Sequence, residues 1–143
     1  MVASVSLYVA LKILHILAMA VWFAAPLTIT SDIRKTLALG KPHTQELAAR
    51  VDRSVVLAMA FGVLTTVTGV LLIFQVGGFK AVSPRIHTSL LLALIALAVE
   101  MMALRPAIAR LSEEGATAGK IAVFAGIGHL LKVVMLVLML IRP

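Results

Sequence analysis

Residues 8 to 26 read YVALKILHILAMAVWFAAP, an almost unbroken apolar run carrying one lysine, one histidine and one tryptophan. Tyr8, Lys12, His15, Met19, Trp22 and Pro26 follow one another at intervals of four, three, four, three and four. On a helix that rhythm aligns six side chains in one stripe, because residues three and four apart stack on the same face. The run matches the roughly 20 apolar residues that a bilayer-spanning helix needs. Lys12 and His15 therefore lie at membrane depth, where an ionisable side chain is costly unless it faces a partner. The stripe predicts that His15 faces a bound cofactor, and haem is the expectation.

The rest of the chain agrees with a membrane setting. Its 143 residues are 62% hydrophobic and 13% charged, with a mean hydropathy of +1.10. That leaves too little polar material to cover a soluble core. A single membrane domain is expected. Cysteine is absent, which excludes disulfides, thiolate metal sites, iron–sulfur clusters and covalent haem attachment through Cys-x-x-Cys-His. The net charge of +7 is carried mostly by residues at the ends of apolar runs, which reads as membrane topology and not as a nucleic-acid surface. The N-terminal run lacks a basic start and is longer than a cleavable signal, so it reads as a retained first span.

Four apolar windows, residues 2–28, 54–76, 86–104 and 121–141, are each near spanning length, and none alternates like a barrel strand. The expected fold is all-α, an integral-membrane bundle of four transmembrane helices. Gly40-Lys41-Pro42 breaks the first connection, and His43-Thr44-Gln45-Glu46 then opens a short amphipathic run into the second span. Outside the spans, the side shared by the termini and the second connection carries three basic residues, and the other side carries eight. Positive-inside bias thus places both termini outside the cytoplasm, in a multi-pass protein of the cell (inner) membrane.

Small residues line two spans: Ala58, Gly62, Thr65 and Gly69 in the second, and Ser89, Ala93, Ala96, Glu100 and Ala103 in the third. Such stripes let helices approach closely or leave room for a flat ligand. They would also allow a homodimer. In the fourth span Ala122, Ala125, Gly126, His129, Lys132 and Val133 share a face, so a histidine and a lysine again stand three apart. Because the first and fourth spans are antiparallel, Lys12-x-x-His15 and His129-x-x-Lys132 are expected to set both histidines near the midplane and both lysines toward one side.

Two neutral imidazoles at one depth would make a pair of axial ligands for haem iron inside a bundle. In this reading His15 and His129 bind the metal, and Lys12 and Lys132 bind carboxylates. Gly126 gives a porphyrin room, and Met19 and Trp22 pack along the ring. Glu100 pairs with a basic group, Arg53 or Arg105 among them. His87, beside Arg85, is interfacial first and an alternative ligand second, while His43 is solvated. No serine nucleophile, paired carboxylate or phosphate-binding loop is visible, so catalytic residues stay unassigned.

The run Leu11-Lys12-Ile13-Leu14-His15-Ile16, followed by Val21-Trp22-Phe23-Ala24, resembles the first span of the HemJ-type protoporphyrinogen oxidases and of the wider CopD-related set of small four-span proteins. Thr68-Gly69-Val70-Leu71-Leu72, His87-Thr88-Ser89-Leu90 and the closing Ile141-Arg142-Pro143 extend the resemblance over most of the chain. It implies a four-helix membrane protein with His15 as a haem-side residue, and for HemJ relatives the oxidation of protoporphyrinogen IX. The chain departs from the HemJ pattern where Leu27 follows Pro26 and where Ser89 stands in place of a lysine.

Three functions follow as expectations. The first is a haem b protein acting in electron transfer, or as an oxidoreductase on a porphyrin or quinone, with an unassigned redox partner. The second handles copper through His15, Met19, His87 and other methionines, since imidazole and thioether suit Cu(I). The third is a cofactor-free assembly subunit.

Overall fold

The computed structural model describes residues 2–27, 29–40, 43–113 and 118–141, and all of its regular structure is helical. Helix α1 spans Val2–Ala24, α2 Ile29–Leu37, α3 His43–Gln75, α4 Pro84–Val99, α5 Arg105–Ala109 and α6 Ala118–Leu140. Four helical stretches are long and apolar enough to cross a membrane. Leucines on all four, such as Leu17, Leu57, Leu91 and Leu130, are more than half exposed around the outside, as a lipid-facing surface requires. The protein is an all-α, four-span, multi-pass membrane bundle.

Proline and glycine mark the ends of these helices. Pro26 has no N–H to return to the carbonyl of Trp22, so α1 closes at Ala24 and residues 25–27 form a turn. Gly40 has φ +70° and ends the connection after α2, and Gly77 and Gly78, at φ +111° and +86°, turn the chain out of α3. Pro84 opens α4 at its first position. In the third span Pro106 removes another main-chain donor, and the preceding residues Glu100–Leu104 widen into a π-turn that the Arg105 N–H closes onto the Glu100 carbonyl.

The second span departs from the expected window. Helix α3 is continuous from His43 through Gln75, so the amphipathic run at 43–53 is the first three turns of the spanning helix. The charged α2 folds back onto α3 and α6 through Ile29 and Ile33. Here Ile33, Leu47, Val51, Leu104, Ile108 and Ile121 form a dense core. This end lies opposite the termini and is flanked by the ion pairs Asp32–Arg50 and Asp52–Arg105, each at 2.9 Å.

Within the bundle α1 packs along α3, and α4 along α6, as two antiparallel pairs. The register of the first pair is set by two glycines. A Cβ on Gly62 would lie 2.7 Å from Trp22 Cε2, and one on Gly69 3.2 Å from His15 Cε1. Seven residues along α1 thus match seven residues back along α3. At the end away from the termini the two pairs are joined by the dense core; toward the termini they stand apart.

Candidate functional site

The gap between the pairs is a cavity of about 370 Å³ at the end of the bundle where the termini lie. Tyr8, Lys12, His15 and Met19 line it from α1, Thr65 and Gly69 from α3, Leu90 and Ala93 from α4, and Met135 and Met139 from α6. Four members of the opening stripe thus face one space. The wall is almost wholly apolar apart from Tyr8, Lys12, His15 and the α3 threonines.

His15 is half-buried, and its partners define which role Nδ1 plays. Nδ1 lies 2.9 Å from the Thr65 carbonyl. A carbonyl only accepts, so Nδ1 carries the hydrogen and donates. Nδ1 is also 3.0 Å from Thr68 Oγ1, whose own hydrogen is directed to the Leu64 carbonyl at 2.7 Å, leaving a lone pair toward the imidazole. In the neutral ring Nε2 then keeps its lone pair. Metal-ligating histidines are commonly held through their second nitrogen by a carbonyl in the same way. Gly69 leaves the space that the ring fills.

Lys12 stands one turn toward the terminal end, is exposed, and pairs with no acid among the described residues. Lys132 has a different fate from the one expected. It is buried at 1% exposure, and its Nζ lies 2.6 Å from Glu100 Oε1, whose side chain is 3% exposed. The ammonium also donates to the Trp22 carbonyl at 3.2 Å and sits 5.0 Å from the Trp22 ring centroid. Trp22 Nε1 donates to Glu100 Oε2 at 2.9 Å. Lys132 therefore closes a network with Glu100 and Trp22 and does not reach the cavity as a carboxylate-binding group. Glu100 pairs with Lys132, while Arg105 goes to Asp52.

The expected pairing of His15 with His129 is not formed either. His129 packs edge-on against Phe23, ring centroids 5.6 Å apart. Phe23 lies eight residues beyond His15, about 12 Å along the helix. His129 does not line the cavity. Gly126 faces outward, with nothing within 4 Å of an added Cβ, so it cradles no ring within this chain. The inward face of α6 is instead Ile121, Gly128, Lys132 and Met135. The expected face lies about a quarter turn away from the observed one, because α6 is apolar almost all round and offers little pattern to orient it. Trp22 lies beneath the cavity, packed with Ala93 and Met135, and not along its wall. His87 is exposed on α4, donates from Nδ1 to the Ser83 carbonyl at 3.1 Å, contacts Phe79 and stays outside the cavity lining.

Sequence reasoning passed over Thr68 and counted Met135 and Met139 only among the methionines of the copper reading. The spacing Thr65-x-x-Thr68 was the available signal for a polar spot on an apolar helix. The methionines had none, because Met in an apolar span is common packing material. Among the described residues no three histidine or carboxylate side chains converge. A metal at His15 would need thioether or cofactor ligands.

Fold and site together define a four-span membrane protein with an apolar, histidine-bearing cavity at the terminal end. No family model matches the chain, and neither the curated proteins nor the solved structures contain a match.

Proposed function

We propose that this protein binds haem b in the cavity, with His15 as its protein ligand, and serves a membrane redox reaction. The observation that carries the reading is the His15 imidazole, tied through Nδ1 to the Thr65 carbonyl and lining an apolar cavity. A volume of about 370 Å³ falls in the range of small-molecule sites, and its open side leaves a macrocycle room to project. Lys12, with Tyr8 near it, would hold a propionate. Met19, Met135 and Met139 would surround the ring with polarizable, adaptable side chains.

Bound haem would supply one-electron chemistry. The protein's part is to fix the imidazole, exclude water from the apolar wall and neutralise a carboxylate at the mouth. One histidine in the cavity favours oxidation of a porphyrin or quinol over simple electron transfer, in keeping with the HemJ-like first span, whose Lys12 and His15 both line the cavity. By positive-inside bias the cavity opens on the extracytoplasmic side of the cell membrane.

The test is an absorption spectrum of detergent-purified protein, oxidised and dithionite-reduced. A Soret band that shifts on reduction is expected in the wild type and in His129→Ala, and its loss in His15→Ala. Colourless protein after expression with ample haem, or a band that survives His15→Ala, overturns the reading. Copper is the second reading, favoured by the convergence of Met19, Met135 and Met139 on the cavity of His15. Colourless protein with stoichiometric copper by elemental analysis, lost in Met139→Leu, would select it.

A further inference from the structure

The walls of the cavity come from opposite helix pairs. Ile16 and Met19 of α1 face Met135, Leu136 and Met139 of α6 across it. Below, the pairs are fastened: Trp22 of the first bonds Glu100 and Lys132 of the second, and Phe23 meets His129. The seam between α1 and α6 is thus closed at the Trp22 level and open above it. Its rims are apolar and exposed: Ile16 and Leu140 line the cavity and are 49% and 70% exposed. In a bilayer the surface beside this seam is hydrocarbon, so the opening faces the acyl chains.

Lys12 supplies the second observation. It is an exposed cation lining a slot whose other walls are nearly all apolar, and it pairs with no acid among the described residues. It stands ten residues, about 15 Å along α1, from the level of Trp22. A cation at the mouth and a closed apolar floor one to two turns below His15 complement a molecule with an anionic head and an apolar body.

We propose that the cavity is loaded sideways from the bilayer, through the α1–α6 seam, by a membrane-dissolved amphiphile whose carboxylate docks on Lys12. Porphyrin carboxylates belong to this class, but the route does not require iron at His15. It therefore stands or falls apart from the haem reading.

Trp22 is the single tryptophan of the chain, and it is fully buried under the cavity floor. It reports on what enters. Protein in nanodiscs is titrated with dibromostearic acid, a carboxylate amphiphile that quenches indole at short range. Saturable quenching at about one probe per chain is expected, weakened about tenfold in Lys12→Gln. Dibromo-octadecanol, which lacks the anion, should quench no better than it does in Lys12→Gln.

The absence of cysteine allows the seam to be closed selectively. Ile16→Cys and Leu136→Cys are placed together and bridged with a short bis-maleimide. The bridged protein should take up the acid at least tenfold more slowly than the same variant left unbridged. Quenching that rises linearly without saturation, that is unchanged in Lys12→Gln, or that proceeds at the same rate across a bridged seam overturns the proposal.

Discussion

Lys132 Nζ and Glu100 Oε1 lie 2.6 Å apart with both side chains almost fully buried, and Trp22 completes both partners' hydrogen bonding. The carboxylate accepts from Lys132 and from the indole N–H. The ammonium reaches the carboxylate, the Trp22 carbonyl and the ring face. The carbonyl matters because residue 26 is proline: the helix offers it no N–H, and leaving a buried carbonyl unpaired costs about 1–3 kcal/mol. One lysine thus neutralises the acid and caps the broken end of α1.

Breaking this pair on one side should be far worse than replacing both partners. Lys132→Met or Glu100→Gln alone is expected to destabilise by about 3–5 kcal/mol, whereas Lys132→Met with Glu100→Leu should cost much less, because no buried charge is left alone. Thermal unfolding followed by size-exclusion fluorescence in detergent orders the three. Equal loss in single and double variants would show that the charges are not the dominant cost.

The role of the Trp22 carbonyl is separable. In the Lys132→Met/Glu100→Leu background the carbonyl is orphaned, and Pro26→Ala should restore about 1 kcal/mol by supplying the missing N–H. In the wild type, where Lys132 already serves that oxygen, the gain should be smaller. A double-mutant cycle measures the difference, and additivity would contradict the assignment.

Three glycines give a graded series. Gly62→Ala places a Cβ 2.7 Å from both Trp22 Cε2 and Leu97 Cδ2, Gly69→Ala places one 3.2 Å from His15 Cε1, and Gly126→Ala meets nothing within 4 Å. Overpacking predicts a loss of about 1–3 kcal/mol for the first, a smaller one for the second and none for the third. Gly62→Ala should also shift the emission of the sole tryptophan, and Gly126→Ala should not.

Thr68→Val removes a hydroxyl that accepts from His15 Nδ1 while keeping the side-chain shape. If His15 ligates a metal or haem iron, affinity should fall about tenfold with folding intact, as expected for loss of an outer-shell partner. Titration of the apoprotein with haem, read at the Soret band, checks this against Thr66→Val, whose hydroxyl bonds only the Gly62 carbonyl.

Much of the architecture was legible in residue order. The number of spans follows from apolar length against bilayer thickness, and their breaks from Gly40, Gly77, Gly78 and the prolines. The stripe of Tyr8, Lys12, His15 and Met19 follows from helical period alone, and it faces the cavity. The small-residue face of α3 follows from the same period, and there Gly62 and Gly69 admit Trp22 and His15. Both readings are local, because every residue in them lies on one helix.

What tertiary structure decided is how far each helix slides and turns against the next. Nothing in Lys12-x-x-His15 or His129-x-x-Lys132 sets their relative height, and a shift of ten residues separates the two lysines' levels. That register is decided by the partners each buried group finds. Glu100 on its π-turn and the proline-orphaned Trp22 carbonyl draw Lys132 beneath the floor, leaving Lys12 unpaired at the mouth. Periodicity fixes the face a side chain shares with its own helix, but in an apolar span only the cost of unpaired polar atoms selects its partner on another.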